Sequence, residues 1–165
     1  MLGNLFFRAV PYLFISFFIF FEFTPNYLFD AKLVKPYMFF IVFYCWLISD
    51  SKRFSSLSIF IFSIFYDLIQ GGVVGITSLF FLLMQYSLRK KYNELISNDL
   101  KEIWVKFILS FTLYLSIMLV LNIFLKNNEI AFKNVAISFI ITIALFPLFF
   151  SIVDKLSYKF KKYHE

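Results

Sequence analysis

The residues able to do chemistry in this chain are few and scattered. Two carboxylates, Glu22 and Asp67, lie in otherwise apolar stretches, and neither has a basic residue or a metal-ligand neighbour at helical spacing. The one cysteine, Cys45, sits inside an apolar run, where a thiol packs rather than reacts. The one histidine, His164, is the penultimate residue of a basic tail, so no ordinary His/Cys zinc site can be assembled within one chain. There is no H-E-x-x-H pattern, no Ser/His pair in the apolar runs and no glycine loop able to cradle phosphate. An enzyme needs convergent acid, base or nucleophile. None is predicted here, and no cofactor or metal is implied.

The elements that hold these residues are set by composition. The 165 residues are 61% hydrophobic and 16% charged, with a mean hydropathy of +0.82. That leaves too little polar surface to cover a globule in water, so the predicted solvent is lipid. Net charge is +6, but the basic residues mark the ends of apolar runs. Nucleic-acid binding would gather them on one polar surface.

Reading from charge to charge divides the chain. The apolar run Phe54 to Leu88 carries one formal charge, Asp67. As one straight helix it would measure about 52 Å, against a hydrocarbon core of about 30 Å. The break belongs at Gln70-Gly71-Gly72, where paired glycines disfavour helix and permit a tight turn. Six spans result, at approximately 9–29, 34–49, 54–70, 72–88, 103–125 and 134–153. The first, whose apolar core is Ala9 to Phe23, is read as retained because no A-x-A-like cleavage site follows it.

With the N-terminus inside, twelve Lys and Arg residues fall on cytoplasmic segments and four on outer loops. Arg53, Arg89, Lys90 and Lys91 form the cytoplasmic basic face, suited to anionic headgroups. The expectation is an all-α integral membrane protein, one domain over 1–165, with six transmembrane helices and both termini in the cytoplasm. Asp99-Leu100-Lys101-Glu102 has capping-box spacing and should start the fifth helix, with Trp104 as an interfacial anchor.

Polar residues inside the spans need an account. Ser56, Ser63 and Asp67 share a helix face, with Gln70 a turn on. Asp67 reads either as a ligand or ion contact, or as a helix-end carboxylate bonded to the glycine turn or a neighbouring helix. Gly75, Ser78, Leu82 and Gln85 form a small-polar packing stripe, toward the same chain or a partner. Ser110, Tyr114 and Asn122 make a weaker one, with Asn122 read as a helix–helix bond. Pro147 predicts a kink in the last helix.

The central segment, 35–88, resembles the rod shape-determining MreD family. The resemblance rests on Lys35-Pro36, then Tyr44-Cys45-Trp46, then Tyr66-Asp67-Leu68-Ile69-Gln70-Gly71-Gly72, then Gly75, and Tyr86 closing the fourth helix. Cys45 interrupts the family's Tyr-Trp pair, and the glycine usual before Leu-x-x-Asp is absent. The resemblance implies a non-enzymatic subunit of the bacterial cell-elongation machinery in the cytoplasmic membrane. It would bind an MreC-like bitopic protein through intramembrane helix faces, and work with MreB and the lateral-wall peptidoglycan synthase and transpeptidase. The family also resembles the S components of energy-coupling-factor transporters, which implies an S-component-like fold. It also leaves an alternative, a substrate-binding subunit for a vitamin.

Overall fold

The structure is a computed structural model that describes residues 2–24, 27–28, 31–32, 34–50, 54–71, 73–90, 99–126 and 132–162. Six helices stand in these residues: α1 (Leu2–Phe23), α2 (Met38–Ser49), α3 (Ser56–Gln70), α4 (Ile76–Lys90), α5 (Leu100–Lys126) and α6 (Phe132–Lys162). Between α1 and α2 a short antiparallel pair, β1 (Tyr27–Leu28) and β2 (Ala31–Lys32), joins Tyr27 to Lys32 and Leu28 to Ala31. Helices α5 and α6 are long and apolar enough to cross a membrane; the apolar parts of the other four are shorter.

Several helix ends differ from the approximate spans, and among the C-terminal ends two differ most. The first helix stops at Phe23 rather than at 29, and strand pairing follows within the expected span. The cause is local: Pro25 disfavours helical backbone at Thr24, whose hydroxyl turns back to the Phe20 carbonyl at 3.0 Å. The last helix runs past 153 to Lys162, with Pro147 inside it. Its extra turns carry Asp154, Lys155 and Lys159, exposed in the ordinary way of a polar helix end.

The chain divides into two compact units, 1–50 with 133–165, and 51–132. In the first, α2 is buried on every side. Phe39 through Leu47 are nine consecutive buried residues, the pattern of a helix that is hydrophobic all round. Its 12 residues reach only about 18 Å, well under a bilayer core. Against it, Phe146 of α6 meets Tyr44 edge to face at 5.9 Å, and Phe149 of α6 meets Phe18 of α1 at 5.3 Å. Helix α1 buries Pro11, Ile15 and Ile19 at i, i+4, i+8, while Leu13, Phe17 and Phe20 face outward. Ser138, Thr142, Phe146, Phe150, Val153 and Ser157 make the buried stripe of α6.

In the second unit α3 buries Ile59, Ser63, Tyr66 and Asp67, and α4 buries Thr77, Ser78, Phe81 and Gln85. Helix α5 adds Phe107, Phe111, Tyr114, Leu115 and Met118. Its start matches the capping signal: Asp99 Oδ1 accepts from the Lys101 amide at 3.0 Å. Glu102 pairs with Lys106 one turn on.

Candidate functional site

The polar residues of the central segment gather at the two ends of the α3–α4 hairpin. Helix α3 ends as the glycine signal requires: Gly71 is left-handed at φ 65° and its amide reaches the Leu68 carbonyl at 3.3 Å. Glycine tolerates that conformation without a Cβ clash. The chain re-enters helix after Gly75, whose φ is 99°. Between them the hydrogen-bond donors of the next helix are exposed at its N-terminus.

Asp67 supplies their acceptor. One carboxylate oxygen, Oδ2, takes the Gly75 amide at 2.7 Å and the Thr77 amide at 3.3 Å. A carboxylate on α3 therefore caps α4 across the turn, where the helix dipole favours negative charge. The side chain is 0% exposed. Of the two sequence readings, helix-end bonding at the glycine turn is the one these bonds describe. Thr77 extends the network, its hydroxyl 2.8 Å from the Tyr114 hydroxyl of α5.

At the opposite end Gln85 of α4 performs the reciprocal task. Its Nε2 donates to the Phe54 carbonyl at 2.7 Å, and its Oε1 accepts from Ser56 Oγ at 3.0 Å. Both groups lie at the start of α3, which Ser55 caps through Ser58. Ser78, buried, donates to the Gly75 carbonyl at 2.8 Å. The Gly75/Ser78/Gln85 stripe is thus engaged within the chain. Asn122 also turns inward, its amide donating to Met118 of its own helix at 2.8 Å rather than to a neighbour.

The first unit repeats the device with Glu22. Near the end of α1, its Oε2 accepts from the Phe39 amide in the first turn of α2 at 3.1 Å. Lys35 answers in the other direction: its ammonium donates to the carbonyls of Glu22 (2.9 Å) and Thr24, the end of α1. The Tyr37 amide finds Thr142 Oγ1 of α6 at 3.0 Å. Sequence reasoning missed these roles because backbone amides and carbonyls carry no residue-type signal; only the position of a charged residue at a helix end could have hinted at them.

The remaining candidates separate by place. Pro36 offers its carbonyl to the Met38 amide at 3.0 Å. Tyr44 and Trp46 are buried in α2, and Tyr86 is 68% exposed on α4. Arg89 and Lys90 close α4. Arg53, Gly72, Lys91 and His164 lie outside the described residues. No group of three metal-ligating side chains occurs among the described residues.

Because Gly75 has a positive φ and open space where a Cβ would stand, strain alone penalises substitution. Gly75→Ala should lower stability by about 1–2 kcal/mol, and Gly75→Leu should cost no less. Thermal melts of the detergent-solubilised protein check both.

No curated protein and no solved structure matches the chain. The family model for rod shape-determining protein MreD matches residues 4–156, nearly the whole length and well beyond the 35–88 segment that carries the motif. The chain belongs to the MreD family.

Proposed function

We propose that this chain is a non-enzymatic subunit of the cell-elongation machinery that crosses the bacterial cytoplasmic membrane six times, with both termini inside, and binds an MreC-like bitopic protein through a helix face. Membership of the shape-determining family, over residues 4–156, carries this reading. The use of Asp67, Gln85, Thr77 and Tyr114 in bonds within the chain supports a scaffold rather than a transporter, whose polar side chains would line a ligand cavity.

The partner face is the outward side of α4. Leu79, Leu83 and Tyr86 recur at i, i+4, i+7 and are all exposed, while the small-polar stripe is spent inside. Tyr86 is the most exposed of the described motif side chains, and an aromatic anchor is the kind of residue that dominates a helix contact. MreB, the wall synthase and transpeptidase, and anionic lipids at the basic face complete the proposed surroundings.

Depleting the protein should round rod-shaped cells, and it should co-purify with its MreC-like partner. Tyr86→Ala should weaken that co-purification about tenfold or more, as loss of an anchor does, while shifting stability by only about 0.5 kcal/mol. Unchanged co-purification would remove α4 from the interface. For the topology, a Cys45→Ser background carrying Ser97→Cys should label with a membrane-impermeant maleimide only after the cells are opened. Asn127→Cys should label in intact spheroplasts.

A further inference from the structure

Helix α3 is held at a fixed, short length. Ser55 closes its start by accepting the Ser58 amide, and the Phe54 carbonyl just before it is held by Gln85 of α4. Left-handed Gly71 closes its end. The 15 residues between these caps rise about 22 Å. Leu57, Ile61, Phe65 and Leu68 recur along it at i, i+4, i+8 and i+11, and all four are exposed. That stripe rises only about 17 Å, against a hydrocarbon core of about 30 Å. The apolar part of α4, Ile76–Leu88, is no longer than α3.

A second observation sets the height of the hairpin beside its neighbour. Thr77, in the first turn of α4, meets Tyr114 of α5 hydroxyl to hydroxyl at 2.8 Å, and the Phe80 ring lies edgewise on Tyr114 at 5.4 Å. Tyr114 is near the middle of α5. Leu100 to Tyr114 takes nearly as many residues as Thr77 to Lys90, so the first half of α5 already matches α4. Beyond Tyr114, α5 continues for 12 residues, 115–126, about 18 Å along its own axis. The α3–α4 turn stops well short of that end.

A helix too short for its bilayer is met by thinning, by flanking side chains that extend to the headgroups, or by association of copies. The turn 70–75 reads Gln-Gly-Gly-Val-Val-Gly and has no lysine or arginine to extend, whereas Arg89 and Lys90 stand at the other end of the hairpin. The shortfall therefore falls on the leaflet at the turn. We infer that the exposed face of α3 binds lipids with short acyl chains and holds the outer leaflet thin beside the hairpin. The inference rests on the membrane-spanning reading and deepens it by naming the lipid.

The test uses the purified full-length chain carrying Trp104→Phe, reconstituted in dimyristoleoyl, dioleoyl or dierucoyl phosphatidylcholine with the brominated lipid as quencher. Trp46 is closed off from lipid and gives a constant background. An added Ile61→Trp reports lipid at the hairpin, and Leu113→Trp, exposed on α5, reports it elsewhere. Ile61→Trp should favour the dimyristoleoyl over the dioleoyl lipid about threefold or more, and Leu113→Trp should show no such preference. The unsubstituted chain should melt highest in the dimyristoleoyl bilayer, a readout that serves if a tryptophan variant does not fold. The same chain-length preference at both positions, or highest melting in a thicker bilayer, would overturn the inference while leaving the six-span reading intact. Absence of quenching at Ile61→Trp by any lipid would put a second copy on that face and overturn it too. A chain that does not float with the vesicles would overturn the six-span reading, and this inference with it.

Discussion

Asp67→Ala should destabilise the protein by about 2–4 kcal/mol, the largest effect expected of any polar substitution in the chain. The figure follows from two amides, the half-buried one of Gly75 and the buried one of Thr77, that lose their common acceptor. Each unsatisfied buried donor costs about 1–3 kcal/mol, and a lost N-cap typically about 1; the contributions overlap because both amides use the same oxygen. Asp67→Asn keeps an acceptor of the same shape and gives up the charge. It should cost only about 0.3–1 kcal/mol through the helix dipole. Thermal or denaturant unfolding in detergent, run on both variants, separates the cap from the charge. If Ala and Asn are equally damaging there, the carboxylate's value is not its hydrogen bonds to α4. The analogous Glu22→Ala removes the acceptor of the Phe39 amide at the start of α2 and should also destabilise.

Much of this arrangement is written where a residue type has only one good use. Gly71 announces the reversal because a left-handed residue is needed to stop α3. Asp99 announces the start of α5 because its side chain can reach the next free amide. Asp67 could be recognised as a helix-end carboxylate, but not matched to Gly75 and Thr77, since every residue except proline offers the same amide. Glu22 suffered the same blindness and was read as isolated, when it faces the first turn of α2. The Gly75 stripe reads as a packing face toward the same chain or a partner. Which side it packs toward depends on tertiary placement, and that left the exposed Leu79/Leu83/Tyr86 side unremarked. The β1–β2 pair went unseen because two-residue strands are too short for alternation to register.

Hydropathy hides one feature altogether: which apolar helix is inside. A position facing lipid and a position facing protein both select Phe, Leu and Ile, because lipid tails are as apolar as a core. Helix α2 and the outer face of α1 therefore look alike in sequence, yet Trp46 is 0% exposed and Phe17 is 60% exposed. Substitution should tell them apart. Trp46→Ala removes a large side chain closed in on all sides, and the lost contacts and cavity should cost about 3–5 kcal/mol. Phe17→Ala opens no enclosed cavity, since lipid or detergent fills the space, and should change stability by about 0.5 kcal/mol or less. In water both would lose transfer energy as well; in a bilayer only packing distinguishes them. The contrast therefore reads both the burial of α2 and the medium around α1. Two small effects would mean that α2 is not enclosed. A large loss from Phe17→Ala as well would mean that the outer face of α1 packs against protein rather than lipid.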